Sequence, residues 1–390
     1  MENEAHEKLI SVIICSYRKF QFIYEAIASV LNQSYGKIEL LISDDGSDPF
    51  PEKKIRTYID KHRKDNLVNV LIHHEETNQG TVRHLNHAIR LVHGDYIGIL
   101  AADDAYFDKF VLERFAAGFD HAKKDCYVQM AQTAMCDYTL KRIDGYALFP
   151  DVQEAVEQED SRLFELVAYS ACLPTTSFFY KKEFFEQYGE FDEEFYLVED
   201  YPMHCRIVRE GWKLHYENFA AARHRSGGIS HGNVEGLSKS AYFYHLDMLK
   251  IRDKCVKPYL KQLRRKAMED VKDKAWTEEK WIKSQLHLYE NNKKLRRQYL
   301  WEYKWSLLKD FAVASVYRWD VFASCLWKTA LVLAVMIPPV REIGIVAAAC
   351  AGCYKVIWSL FAAGAVSWLF GRIGRGIAKI ESYPWDLMDY

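Results

Sequence analysis

The chain has no surplus of charge of either sign. Its 52 lysines and arginines face 54 acids, a formal net charge of −2 over 390 residues. That balance carries no global nucleic-acid signature, and no nucleic-acid partner is expected. A disulfide framework is missing too. The nine cysteines show no regular paired spacing, which points to a reducing compartment. Met1 to Glu7 is polar and runs straight into a strand-like segment, so no signal peptide is expected and the N-terminal part is expected in the cytoplasm. Two phosphate-binding devices are also absent: no G-x-G-x-x-G follows the first strand-like run, and there is no Walker A lysine loop. A phosphate site built without glycine-rich turns needs a metal ion or basic side chains.

The chain is long enough for one large or two ordinary domains. Ser11 to Cys15 is an apolar, β-rich run, broken by Ser16-Tyr17-Arg18-Lys19 before a helical pattern carried by Ile23, Ile27, Val30 and Leu31. Ile38 to Ile42 is a second strand that runs into Ser43-Asp44-Asp45-Gly46-Ser47-Asp48. A third run, Val68 to Ile72, precedes Asn78-Gln79-Gly80-Thr81 and a helix containing Arg83, Leu85, Ala88, Ile89 and Val92. Gly94-Asp95-Tyr96 opens a fourth strand that ends in Asp103-Asp104. Strands alternating with helical patterns imply βαβ units, an α/β class and a mainly parallel sheet flanked by helices. Ligands in such sheets collect beyond the carboxyl ends of the strands. Adjacent carboxylates there suit a hard divalent cation that also holds phosphate oxygens, unless Asp103 and Asp104 only cap the next segment.

These four segments, in this order, resemble the inverting family-2 glycosyltransferases of the GT-A fold, of the bacterial surface-polysaccharide type. The resemblance implies a nucleotide-sugar-binding domain. Cys15 and Tyr17 match the loop that holds the nucleotide base. Asp45 matches the acid that accepts a hydrogen bond from the base's ring N–H, which favours a UDP- or dTDP-sugar. Arg83 matches a basic residue near the base and diphosphate, its alternative being a solvated helix residue. Asp103 matches a residue facing the ribose, and Asp104 a ligand of Mn2+ or Mg2+. In one departure, Ala101 stands where the family often has another Asp, which leaves fewer protein ligands for the metal.

Beyond Asp104, Val128 to Ala131 reads as a strand, Tyr138 to Asp144 as a turn region and Asp151 to Asp160 as an acidic surface segment. Thr175 to Tyr180 resembles the strand near the acceptor side of these enzymes. Glu199-Asp200 matches the family's Glu-Asp pair, whose Asp is the general base for the acceptor hydroxyl. Pro202 close behind marks a helix start, and an ordinary N-cap acid is the alternative. His224, which opens the glycine-containing loop to His231, is a candidate metal or diphosphate ligand, against a plain surface histidine; Arg225 and His231 are secondary candidates. His73, His74 and His84 show no metal-ligand spacing and read as structural.

From Val234 to about Lys309 the pattern is helical, basic and aromatic, which suits the face of an anionic membrane or packing on the catalytic domain. Val321 to Val340 and Ile343 to Phe370 are apolar, interrupted by Lys328 and Lys355. Each is compatible with a bilayer crossing of about 20 residues. Pro338-Pro339 and Arg341-Glu342 supply the turn of a hairpin, and flanking Arg318, Arg372, Arg375 and Lys379 put both ends on the cytoplasmic side. A hairpin dipping into one leaflet or an oligomerisation surface is the alternative, and Cys350 and Cys353 fit a helix interface better than zinc. The expected division is a catalytic domain over residues 1–232, an amphipathic helical region over 233–318, a membrane hairpin over 319–376 and a tail over 377–390.

The expected function is transfer of a sugar, with inversion, from a nucleoside diphosphate-sugar to a hydroxyl of a lipid-linked or cell-surface glycan, at the cytoplasmic side of the cell membrane, by a chain that also suits a homo-oligomer. The alternatives are a non-catalytic membrane scaffold with a degenerate domain and a sugar nucleotidyltransferase.

Overall fold

The computed structural model describes residues 7–18, 20–226 and 239–291, the side chains of 239, 285 and 287–291 excepted. The chain divides into two compact units, residues 1–290 and 291–390. The apolar runs between 321 and 370 lie outside the described residues, as do Trp301, Trp305, His231 and the boundary expected at 232–233. Among the described residues no helix is long and apolar enough to cross a membrane.

The elements follow the expected alternation through β1 (Ile10–Ser16), α1 (Ile23–Leu31), β2 (Ile38–Asp44), α2 (Glu52–His62), β3 (Leu67–His74), α3 (Thr81–Leu91) and β4 (Tyr96–Ala101). These four strands run parallel in the order β3-β2-β1-β4. Their side chains alternate between two cores, as a period of two requires. Ile13, Leu41 and Ile97 join Val82, Leu85 and Ile89 of α3 in one cluster. Val12, Ile14, Leu40 and Ile42 join Ile23, Ile27 and Val30 of α1 and Ile55 and Ile59 of α2 in the other. Burial on both faces is why β1, β2 and β4 read as apolar runs, whereas β3 at the sheet edge is only partly buried and exposes Val68.

Past β4 come β5 (Ala105–Tyr106), α4 (Val111–His121), β6 (Cys126–Cys136), β7 (Ile143–Tyr146), α5 (Pro150–Glu157), α6 (Arg162–Tyr169), β8 (Phe178–Lys181), α7 (Lys182–Tyr188), α8 (Asp200–Arg209) and β9 (Lys213–Arg225). Here the sheet departs from the mainly parallel expectation. It continues β4-β8-β6-β9-β5 with β7 on β6, and β8, β7 and β5 all pair antiparallel. The result is a mixed, nine-stranded sheet. At the junction Gly98 faces Phe179, and a Cβ on residue 98 would lie 2.5 Å from that ring. The absent side chain is what lets β8 dock on β4, while farther on β6 and β9 pair parallel. The acidic segment after Asp151 is helix α5, with Val152, Ala155 and Val156 buried on one face.

Two further helices, α9 (Lys239–Ile251) and α10 (Arg265–Asn291), come next. Ile251, Val256, Leu263 and Val271 belong to the same core cluster as Phe178 and Tyr201. Buried Arg252 donates to the carbonyls of Ala168 and Tyr169 at 2.7 and 3.1 Å and to Glu278 at 2.6 Å, tying the end of α6 to α10. Trp276 and Trp281 remain 68% and 50% exposed.

Candidate active site

Parallel register puts the ends of β1, β2 and β4 side by side: Cys15 is level with Ser43 and with Ala101. The loops that leave these strands therefore meet at one edge of the sheet. The Ala102 N–H donates to the Cys15 carbonyl and the Asp45 N–H to the Ser16 carbonyl, both at 2.9 Å, so the two acidic loops hang from the end of β1.

The two acids of the β2 loop do different work. Asp44 is wholly buried and organises its own turn, accepting from Ser16 Oγ, Ser47 N–H and Ser47 Oγ at 2.7–2.9 Å. Asp45 reaches across to the loop after β3, where its carboxylate accepts from Asn78 Nδ2, Gln79 N–H and Gly80 N–H at 2.8, 2.7 and 3.1 Å. Oδ2 is filled by two of these, while Oδ1 takes only the Gln79 N–H. Burial pushes the Asp45 carboxyl up to about 6 against the pull of those backbone donors. Asn78 Oδ1 in turn accepts from the Tyr196 hydroxyl at 2.6 Å, joining this loop to the segment before α8. Gly80, at φ +85°, makes the join close: a Cβ there would lie 2.4 Å from the Tyr196 ring.

Cys15 is half-buried at the strand end. Burial pushes its thiol well up, and the charges of Glu199 and Asp45 add to the push, which places all three in one neighbourhood. Tyr17 lies on the surface with the Arg18 guanidinium 5.0 Å from its ring centre. Arg83 is exposed on α3 with Nε 3.6 Å from Glu193; no contact described for it joins the strand-end acids. Its neighbour His84 turns inward instead, 2.7 Å from Ser43 Oγ and 3.6 Å from Asp45. Burial lowers that ring to about 4.

The β4 acids meet a residue from the far end of the domain. Asp104 is 1% exposed, and His224 near the end of β9 brings Nδ1 to 2.7 Å from its Oδ2. Arg225 fixes the turn: its N–H donates to Asp104 Oδ1 at 2.9 Å and its Nε to the Asp103 carbonyl at 2.7 Å, while Nη2 pairs with Glu25 at 2.5 Å. Burial pushes the Asp104 carboxyl above its usual range, and His224 works against that push. Ala101 is exposed at the same edge and contributes no ligand atom.

Glu199 and Asp200 stand at the start of α8. The Asp200 carboxylate accepts from the Thr175 hydroxyl and, at 2.6 Å, from the Tyr201 N–H. Burial, then the charge of Asp200, push the Glu199 carboxyl up to about 8. One turn along, His204 is buried and lowered to about 4; its Nε2 has no hydrogen-bond partner among the described residues. The loop that delivers this pair is held from α9. Asp247 Oδ2 accepts the N–H groups of Tyr196, Leu197 and Val198 at 2.8, 2.6 and 3.2 Å.

The sequence reading missed Asp247, and it placed Arg225 second to His224. Neither carries a local signal, because each acts on loops distant in the chain.

Residues 11–189 match the family model Glycosyl transferase family 2. An uncharacterized glycosyltransferase of Rickettsia typhi is 27% identical over 215 residues, 54% of this chain and 61% of that protein. The succinoglycan biosynthesis protein ExoU of Rhizobium meliloti is 26% identical over 233 residues, 58% of this chain and 66% of its own length. The chain thus spans about three-fifths of the length of the curated relatives it matches. Among solved structures, S. aureus TarS 1-349 is similar with a TM-score of 0.47 at 14% identity, over 74% of this chain and 77% of that one.

Proposed function

We propose that this chain is an inverting glycosyltransferase that moves a sugar from a nucleoside diphosphate-sugar to a hydroxyl acceptor by direct displacement. The observation that carries the reading is the meeting of Asp104 with His224 at 2.7 Å beyond the parallel strand ends, within and beside the matched domain.

The residues fit a divalent cation: a carboxylate oxygen and an imidazole nitrogen adjoin, and the carboxylate is buried. A mixed oxygen and nitrogen set favours Mn2+ over Mg2+, which prefers oxygen alone. Asp104 and His224 would hold it, and when bound the cation neutralises the charge gathering on the leaving diphosphate. Arg225 keeps Asp104 aimed, and Asp103 would face the ribose. Asp45, with Oδ1 only partly used, accepts from the base, which favours a uracil or thymine base, and Cys15 and Tyr17 border that base.

Asp200 takes the proton from the acceptor hydroxyl as its oxygen bonds to the anomeric carbon, while the bond from that carbon to the diphosphate breaks and its electron pair leaves with the diphosphate. Thr175 and the Tyr201 N–H hold the Asp200 carboxylate in one orientation. Glu199, pushed up to about 8, keeps its own proton at neutral pH and so adds no second negative charge beside the incoming hydroxyl. The apolar runs between 321 and 370 support attachment at the cytoplasmic side of a membrane and a lipid-linked or surface-glycan acceptor.

Proton NMR of the product of the full chain tests the mechanism. An α-linked donor is expected to give a β-linked product, with Asp200→Asn at least 100-fold slower. Retained configuration, or near-normal turnover in Asp200→Asn, would overturn the assignment.

A further inference from the structure

A second group of ligand-type side chains lies apart from the strand-end acids. His73 and Glu75 stand two residues apart at the end of β3, where the Glu75 N–H donates to the Asp44 carbonyl at 2.9 Å. His87 comes from α3. Glu75 Oε1 lies 3.1 Å from His73 Nε2 and 2.6 Å from His87 Nδ1, and one ligand atom from each residue falls within 4.8 Å of the others. The two imidazoles meet edge to face, with centroids 4.6 Å apart. His73 Nε2 is buried, and no hydrogen bond of good geometry forms on it among the described residues. Burial alone would raise the Glu75 carboxyl, but the His73 and His87 rings hold it below its usual range. The His87 side chain is 43% exposed, which leaves an ion a way in.

We propose that His73, Glu75 and His87 form a zinc site distinct from the strand-end acids. Two imidazole nitrogens and one carboxylate oxygen are a borderline donor set that zinc takes at about 2.0–2.2 Å, with a fourth position left to water. Tetrahedral ligands at that range stand about 3.3–3.5 Å apart, so the two separations from Glu75, 3.1 and 2.6 Å, need open by less than an ångström. Calcium and magnesium would call for oxygen ligands instead. The ion would clip the end of β3 to α3, and the chain between them holds Asn78, Gln79 and Gly80, the three donors to Asp45. Zinc would therefore stiffen the loop that Asp45 rests on. A proton shared within a plain His–Glu–His triad is the competing account. The site stands on these residues alone and does not depend on the transfer reaction.

The test is zinc titration of the chelator-stripped full chain, wild type beside His87→Gln, His73→Ala and Asp104→Ala, with folding checked by circular dichroism. One zinc equivalent is expected to survive Asp104→Ala and to vanish in His87→Gln and His73→Ala. Cobalt in its place should give the visible absorption of a tetrahedral ion. Zinc at 100 times its Kd should raise the thermal midpoint of the wild type by about 5 °C and leave His87→Gln unmoved. Zinc stoichiometry equal in wild type and the His87→Gln and His73→Ala variants, or loss of the equivalent in Asp104→Ala, would overturn the proposal. No zinc bound by the wild type would likewise overturn it and leave a hydrogen-bonded His–Glu–His triad as the correct account.

Discussion

Asp247→Ala removes one buried carboxylate oxygen that accepts three consecutive N–H groups, from Tyr196, Leu197 and Val198. A buried donor left unpaired costs about 1–3 kcal/mol, and water entering the vacated space recovers part of that. The net cost should be about 3–5 kcal/mol, a large share of a stability of about 5–15 kcal/mol. The same loop delivers Glu199 and Asp200, so turnover should fall in the molecules that remain folded. The variant carries a second signature. Burial, then Asp200, then Asp247 raise Glu199, so removing Asp247 should move the Glu199 titration down from about 8. Asp247→Asn keeps an oxygen acceptor and should cost only about 1–2 kcal/mol. Urea unfolding with a common slope, beside the pH profile of kcat, measures both effects. Wild-type stability in Asp247→Ala, or a larger loss in Asp247→Asn than in Asp247→Ala, would refute the reasoning.

The other expectations rest on single features. Glu199 titrates at about 8 folded against 4.5 unfolded, so the folded state binds the extra proton between those values. Its contribution to stability is then full below about 4.5 and is lost as pH rises through about 8; Glu199→Gln should flatten that fall in denaturation midpoints. Gly80→Ala forces a Cβ against the Tyr196 ring at positive φ and should cost about 2–5 kcal/mol, read as a drop in Tm. Ala101→Asp adds a carboxylate at the exposed edge beside Asp103 and Asp104, and should lower the manganese concentration that half-saturates donor binding; His224→Ala should raise it.

The parallel half of the sheet was legible because β1, β2 and β4, buried on both faces, are largely apolar, and because three of the first four strand ends carry polar groups. The mixed half beyond β4 was not. β8 is four residues long, and its place between β4 and β6 depends on Gly98 admitting Phe179, which no periodicity reveals. Asp151 to Asp160 looked like acidic surface because its charges mask three inward residues, Val152, Ala155 and Val156. On α3 the residue type pointed to Arg83, yet the helix phase turns His84 to the strand ends. His73, read as one of several scattered structural histidines, comes together with Glu75 and His87 across a strand, a loop and a helix. His74, by contrast, does serve the Asp44 turn, with Nδ1 2.9 Å from its carboxylate. Of the site, the Asp104 and His224 pair was proposed from the family resemblance and the two do meet. Asp247 was hidden because it acts from a helix about fifty residues downstream of the loop it holds.

Release of nucleoside diphosphate by the full chain, over UDP-, dTDP- and GDP-sugars with and without manganese or magnesium, bears most directly on the claim that Asp104 and His224 serve glycosyl transfer. Calorimetric titration of the same nucleotides runs beside it. The account predicts manganese-dependent release of UDP or dTDP that Asp104→Ala abolishes while the fold is kept. Release that is indifferent to metal and to Asp104→Ala, or silence in both release and binding, would contradict it.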